Sequence, residues 1–309
     1  FYMGQNSFPM GTLIKDGEVI SSPNSPGYEY PTITSTNDGS IDISIWEPNV
    51  YLETKNNDVF SVAAVNKTGA FKGEIIILNS SWGKKSIGST NGRELIEIVV
   101  SNNKVKSVRI NQPATNIPSN GYVIVCSTSR KDELASAFKI GTKVDLNYEF
   151  DFSPENINWA AGGVNYLVKD GELYKTNSSI NGRHPRSAVG FNEDKTEMIL
   201  VTIDGRNKAY TGVTQKELAK IMLELGAYEA VNMDGGGSTA MGVDFLRDGN
   251  IEVVNFPSDG RERNIDSGLG VFNTSPKSRT VKYLEVVPEY TKVFKNTYVS
   301  FNVKAYDKY

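Results

Sequence analysis

The sequence predicts an α+β fold: a mixed, strand-rich sheet with a βαβ unit near the C-terminal part of its main domain, plus a short β appendage. Three observations lead there. The first 150 residues hold many short apolar runs punctuated by turn pairs such as Asp16-Gly17 and Asn102-Asn103, the pattern of antiparallel hairpins and meanders. Further on, a well-marked helix stands between two apolar runs of strand length, Glu197 to Ile203 and Tyr228 to Met233. Directly after the second run comes Asn232 to Met241, NMDGGGSTAM, whose three consecutive glycines suit neither strand nor helix.

Taken in order, strand patterns are read at Leu13-Ile14, Ile41 to Trp46, Val59 to Val65, Glu74 to Leu78, Leu95 to Val100, Val105 to Ile110, Tyr122 to Ser127 and Lys143 to Phe150. Lys131 to Lys139 reads as a helix, and from Trp159 the pattern becomes strand, turn, strand. The helix that follows Ile203 is bounded at both ends. Thr214 and Glu217 have the spacing of a capping box, and Gly226 stands where a C-terminal cap belongs. Between them Leu218, Ile221, Met222 and Leu225 form one apolar stripe. Strand, helix, strand implies two parallel strands in one sheet, so Asp204 and Asp234 follow carboxyl ends that share an edge. That edge is where open α/β sheets place their ligands. Leu269 to Asn273 reads as a final strand.

Residues 274–280, TSPKSRT, suit a linker, and after it Val281 to Val287 and Tyr298 to Tyr306 alternate like antiparallel strands. The expected organisation is a domain over residues 1–273 with an incomplete N-terminus, a linker at 274–280, and a partial Ig-like or docked β segment at 281–309. The opening Phe1-Tyr2-Met3 is already strand-like, which suggests an authentic start further upstream and a signal segment lost with it.

Composition removes several chemistries. With 309 residues and a formal charge of -3, the chain offers no basic field for nucleic acid, and no apolar run approaches a membrane span. Cys126 is the only cysteine and His184 the only histidine, so intrachain disulfides, a thiolate cluster and a multi-histidine zinc site are excluded. Carboxylates, arginines and backbone amides remain as chemical tools. No dense acidic loop of calcium-binding type occurs, and neither a catalytic metal nor a cofactor is expected.

A glycine run lets backbone N–H groups line an anion-binding nest, here Gly235, Gly236 and Gly237 with Ser238 and Thr239 as further donors. Asp234 guards its entrance. Each such residue also has a plain structural reading: Asp-Gly pairs form turns, and a lone arginine makes surface ion pairs. Arg206 could hold an anion or a neighbouring acid; His184, before a proline, suits a structural hydrogen bond or substrate contact. Asn232 would share a face with Asp234 if the strand continues that far. Trp46, Trp82 and Trp159 are candidate sugar platforms or core residues.

The segments Arg183 to Gly190 (RHPRSAVG), Ile199 to Arg206 (ILVTIDGR), Val231 to Met241 (VNMDGGGSTAM) and Gly268 to Phe272 (GLGVF), in this order, resemble the phosphodiester glycosidase family. Weaker similarity reaches Asn158 to Leu173 and Phe1 to Val19, so that it spans roughly residues 1 to 273. Residues 281–309 are similar to the first strands of Ig-like modules that bacterial surface proteins string behind catalytic domains.

The resemblance implies hydrolysis of a sugar 1-phosphodiester, N-acetylglucosamine being the family's best-known sugar, with release of free sugar and a phosphomonoester. Because the second pKa of a phosphomonoester is about 6, the departing oxygen needs charge stabilisation more than a full proton. Arg186 is then the first choice for gripping phosphate, since its guanidinium offers a planar fork. Asp234 and Asp204 become base or nucleophile and its partner, with Asp234 favoured as the reactive one. The resemblance further implies an extracellular or cell-surface bacterial enzyme acting on wall polymers or exopolysaccharide, with wall association through C-terminal modules. Two alternatives stand beside it: an inactive carbohydrate- or phosphate-binding module, and another hydrolase or transferase of phosphorylated glycans.

Overall fold

The computed structural model describes residues 2–3, 8–9, 11–22, 30–46, 49–67, 73–149, 156–175, 181–245, 249–265, 267–275, 280–287 and 302–306. Two units are distinguished. One takes in residues 1–240 and 255–263, the other 241–254 and 264–309.

In the first unit, the longest apolar runs build an antiparallel sheet in the order Lys104–Ile110, Leu95–Ser101, Gly121–Ser127, Ile76–Asn79, with Ala64–Val65 added parallel at one edge. Both faces of this sheet are buried: Ile96, Ile98 and Val100 pack with Leu134 and Phe138 on one side, while Leu95 and Val99 join Trp82 on the other. That is why these strands read as continuous rather than alternating apolar runs. The helix predicted over 131–139 forms at Lys131–Ala137. The strand read as Val59 to Val65 is divided into Val59–Ser61 and Ala64–Val65, which serve different sheets.

Several strands escaped the sequence reading, Pro31–Thr36, Asn49–Thr54 and the site-bearing Arg186–Phe191 among them. Pro31–Thr36 lies between Ile157–Gly162 and Ile41–Ile45 in the sheet ordered Glu18–Ser21, Leu13–Lys15, Ile157–Gly162, Pro31–Thr36, Ile41–Ile45. Its Thr32, Thr34 and Ser35 are buried, so the polar letters of PTITST hid a core strand. Asn49–Thr54 pairs with Val144–Glu149 and Val59–Ser61.

The site-bearing sheet runs Glu172–Leu173, Asn165–Lys169, Glu229–Asn232, Arg186–Phe191, Met198–Ile203, antiparallel at every pairing. Arg186–Phe191 lies between Met198–Ile203 and Glu229–Asn232 and pairs antiparallel with each, so the two strands flanking the helix run in the same direction without touching. Alternation divides this sheet's contacts. Ala188 and Ala230 face the helix with Leu167, Leu218 and Met222, whereas Val189, Phe191 and Val231 pack with Ile33 and Ile43 of the neighbouring sheet. Gly190 keeps helix and sheet close, because a Cβ there would stand 2.9 Å from Met222 Cε and 2.8 Å from the Glu229 carbonyl oxygen.

The helix, Gln215–Glu224, begins in a complete capping box at Thr214 and Glu217 and is followed by Gly226 at φ +91°. Its buried side is Gln215, Leu218, Ala219 and Met222; Leu225, predicted on the apolar stripe, is 55% exposed because the last helical turn ends before it.

In the second unit, Gly242–Val243 pairs with Glu252–Val253, and Tyr283–Val287 pairs antiparallel with Asn302–Tyr306. The strand expected at Leu269 to Asn273 does not form. Residues 267–275 pair with no strand, and Val271 and Phe272 are exposed, since alternating glycines at 268 and 270 leave the segment little side chain to pack. Part of the predicted 274–280 linker, residues 276–279, lies outside the described residues, as does the start of the strand read at Tyr298 to Tyr306.

Candidate functional site

The strand Glu229–Asn232 stops at Asn232, so Asp234 belongs to the loop rather than the strand. Register therefore does not carry Asn232 to Asp234. Asn232 is buried opposite Asn165 and Ala188, its Nδ2 donating to Asn165 Oδ1 at 3.5 Å, while its Oδ1 has no partner among the described residues.

The glycine run makes a turn of 3-10 helix at Gly236–Ser238, and this changes the expected nest. The Gly235 amide donates to Asp234 Oδ1 at 3.0 Å, and the Gly236 amide to the Pro185 carbonyl at 2.9 Å. Ser238 and Thr239 donate back to Gly235 and Gly236. Only the Gly237 amide, of the three glycines, has no acceptor among the described residues. The amides thus serve mainly to fold the loop.

What the glycines provide instead is room. A Cβ on Gly235 would meet the Pro185 carbonyl oxygen at 2.7 Å and Arg186 Cα at 3.5 Å; one on Gly236, where φ is +64°, would meet Arg206 Nη1 at 2.9 Å; one on Gly237 would overlap Arg263 Nη2 at 1.9 Å. Gly236 thus admits the Arg206 guanidinium, and Gly237 the Arg263 guanidinium with the Asp259 carboxylate, whose Oδ2 would stand 2.5 Å from a Cβ there.

Arg186 opens its strand and is 3% exposed. Its Nε donates to the Val213 carbonyl at 3.2 Å and its Nη2 to the Gly182 carbonyl at 3.1 Å. Burial, and next the Arg206 charge, press its pKa below the usual guanidinium range. Because arginine stays protonated in proteins, that pressure is relieved by an anion and not by loss of the proton. Arg206 sits at φ +59° and reaches the ring of His184, with Nε and Nη2 3.4 and 3.3 Å from Nδ1. His184 Nε2 lies 3.0 Å from the Asn181 carbonyl, which can only accept, so Nε2 holds the proton and Nδ1 is the acceptor. His184 is fixed further by paired backbone hydrogen bonds with Val213. The acid partner considered for Arg206 is not found: neither Arg186 nor Arg206 pairs with a carboxylate among the described residues.

Asp204 has a structural duty. Its Oδ1 accepts from Asn255 Nδ2 at 3.0 Å and from the Phe256 backbone N–H at 2.9 Å. Asn255 Nδ2 also donates to the Thr239 carbonyl at 3.2 Å, joining Asp204 to the end of the glycine loop. Thr239 is buried, and its Oγ1 accepts from Ser187 Oγ at 3.4 Å. Around the loop the structure gathers His184, Arg186, Arg206, Asp204 and Asp234; Asn232 points to Asn165 instead.

The returning segment 255–263 was missed by the sequence reading. It supplies Asn255, Phe256 and Arg263, the last held by Asp259 through Nε at 3.0 Å and Nη2 at 2.7 Å. Its one signal is the charged cluster Arg261-Glu262-Arg263, which has no strand or helix period. The tryptophans are not platforms: Trp46 and Trp82 are buried, and Trp159 packs against the Ile33 cluster. Among the described residues no cluster of three or more His, Cys, Asp or Glu could hold a metal ion, and no helix is long and apolar enough to cross a membrane.

With this geometry in place, comparison with known proteins identifies the scaffold. The phosphodiester glycosidase family model matches residues 94–272. The chain belongs to the phosphodiester glycosidase family. It is 32% identical over 110 residues to the SPbeta prophage-derived uncharacterized protein YomE of Bacillus subtilis strain 168, which spans 34% of this chain and 16% of that protein. It is 27% identical over 119 residues to the N-acetylglucosamine-1-phosphodiester alpha-N-acetylglucosaminidase of Bos taurus, spanning 33% of this chain and 21% of the enzyme. A crystal structure of a hypothetical protein from Synechocystis superposes with a TM-score of 0.66 at 22% identity, over 78% of this chain and 45% of that one. That likeness is one of fold. All five gathered residues lie inside the family match, which also contains Arg263.

Proposed function

We propose that this phosphodiester glycosidase hydrolyses a sugar 1-phosphodiester at the glycosyl C–O bond, releasing free sugar and a phosphomonoester. The observation that carries the reading is the pair of guanidiniums at Arg186 and Arg206, neither with a carboxylate, beside the Asp234 loop. Two like charges held near each other cost energy until an anion enters between them. A phosphodiester supplies that anion, and its departing phosphate gains further charge as the bond breaks, which is when the arginines act most strongly.

Asp234 is the group for the reacting carbon. Its Oδ1 is steadied by the Gly235 amide, leaving the carboxylate to remove a proton from the attacking water or to attack the anomeric carbon itself. Asp204 supports it, its Oδ1 accepting from the Asn255 side-chain amide and the Phe256 backbone N–H and leaving Oδ2 for sugar hydroxyls. Arg206, held by its left-handed backbone and by His184, supplies the second guanidinium to the phosphate beside Arg186. The Gly237 amide, with the Ser238 and Thr239 hydroxyls, supplies the remaining donors.

The same reading extends to setting. It makes the chain an extracellular or cell-surface enzyme of wall polymers or exopolysaccharide, with residues 1–273 as catalytic domain and 281–309 as the start of an Ig-like, wall-associating module. The antiparallel pair Tyr283–Val287 and Asn302–Tyr306 supports that last element.

The test is to incubate the protein with an N-acetylglucosamine 1-phosphodiester and follow free sugar by NMR, with Asp234→Asn as control. Turnover by the wild type and its loss in the variant are expected. Unchanged activity in Asp234→Asn would remove that residue from its role, and binding without turnover of any sugar phosphodiester would favour a carbohydrate- or phosphate-binding module.

A further inference from the structure

Tied to Asp204 and to Asn207, the residue after Arg206, stands an exposed aromatic pair that the reaction itself does not use. Tyr210 and Phe256 stack with ring centroids 5.5 Å apart and planes 28° apart. They are 43% and 63% exposed, unlike the buried Trp46, Trp82 and Phe191. Their backbones are nevertheless fixed. Asn207 Oδ1 accepts the amides of Ala209 and Tyr210 at 2.9 and 2.8 Å, and the Asn207 amide donates to the Tyr210 carbonyl at 3.1 Å. Phe256 is tied through its own N–H to Asp204.

We propose that Tyr210 and Phe256 form an aromatic platform for a neutral sugar ring of the substrate, seated next to the arginines that take its phosphate. The proposal rests on the sugar-phosphodiester reading above. What sets this pair apart from other exposed apolar side chains is the stack and its tie to Asp204, and ring faces held in place in advance lose little freedom on binding. The faces of aromatic rings carry negative potential, so they accept the C–H face of a pyranose and turn away an anion. Division of labour follows: guanidiniums for the charged end of the substrate, π faces for the uncharged end. Asp204 joins the two, because one of its oxygens fixes the Phe256 backbone within the group of residues that surrounds the glycine loop.

The experiment is steady-state kinetics of Tyr210→Ala, Phe256→Ala and Tyr210→Phe on the N-acetylglucosamine 1-phosphodiester, with saturation-transfer NMR of free N-acetylglucosamine on each protein. Phe256→Ala removes the ring but keeps the backbone N–H to Asp204, so circular dichroism should match the wild type. Both alanine variants are expected to raise KM about 3- to 10-fold with kcat little changed, and Tyr210→Phe to restore the wild-type KM. An unaltered KM in both alanine variants would overturn the platform. If the wild type turns over no phosphodiester, saturation transfer to free N-acetylglucosamine that is lost in Tyr210→Ala would uphold the platform while the reaction assignment falls. A wild type that shows neither turnover nor transfer would overturn both.

Discussion

The Arg206 guanidinium lies over Gly236, so near that a Cβ at that glycine would stand 2.9 Å from Nη1 and 3.2 Å from Nη2. Gly236 is also at φ +64°, where a side chain costs about 1–2 kcal/mol. Gly236→Ala is therefore expected to destabilise the protein by about that amount and to raise KM, because the long Arg206 side chain can swing aside but then leaves the phosphate. Gly235→Ala has no such escape, since its neighbour is the Pro185 carbonyl oxygen at 2.7 Å. Its cost should be larger, about 1–3 kcal/mol as for overpacked cores. Chemical denaturation of both variants checks the order.

Arg206 itself holds a left-handed backbone at φ +59°. A non-glycine residue there stores strain that the site tolerates for the sake of the guanidinium. Arg206→Gly is expected to raise stability by up to about 1 kcal/mol and to lower turnover, whereas Arg206→Ala should lower turnover without that gain. Denaturation midpoints and kcat/KM measured on the same preparations test the opposition. Equal midpoints in the two variants would remove strain from the explanation.

Asp204 separates structural from chemical duty. Its Oδ1 accepts two hydrogen bonds, and bonds of this charged kind contribute about 1.5–3 kcal/mol. Asp204→Ala should lose about that much stability. Asp204→Asn keeps an acceptor and should retain most of it, yet lose activity if Oδ2 meets the sugar. Retained activity in the asparagine variant would leave Asp204 a purely structural group.

Lys67 gives the protein a pH signature away from the site. It is 4% exposed, donates to the Pro9 and Gly11 carbonyls at 2.7 and 3.1 Å, and burial pushes its pKa down to about 7. In the unfolded chain it titrates near about 10.4, so between the two values the unfolded state binds the extra proton. Stability should then rise with pH across that window, by up to about 1.4 kcal/mol per unit, and the penalty is fully present below about 7. Urea titrations from pH 7 to 10 on wild type and Lys67→Met check this: the rise seen in the wild type should be lost in the variant, and an equal rise in both would remove Lys67 from the explanation.

How much of this was legible in the chain depends on period and reach. The Gln215–Glu224 helix was readable because its capping box and Gly226 are local signals, whereas Arg186–Phe191, which lies between its two flanking strands, was not read. Pro31–Thr36 was hidden because polar letters do not announce burial: Thr32 Oγ1 donates to Thr12 Oγ1 at 3.4 Å, while buried Thr34 Oγ1 has no partner among the described residues. At the site, Asp204 and Asp234 stood out beside glycines and strand ends, and Arg186 through the family resemblance and the phosphate it implies. Arg263, Asn255 and Phe256 did not, since they come from an irregular segment whose place is set by tertiary hydrogen bonds. The triple glycine drew notice for the right reason, its need for glycine, but its amides are mostly spent within the loop; what it accommodates is Pro185, Arg206 and Arg263.

The most direct test of the account is which bond breaks. Hydrolysis of an N-acetylglucosamine 1-phosphodiester in water enriched in oxygen-18, read by mass spectrometry of both products, should put the label in the free sugar and none in the phosphomonoester. Label in the phosphomonoester would mean attack at phosphorus, and would contradict the roles given to Asp234, Arg186 and Arg206.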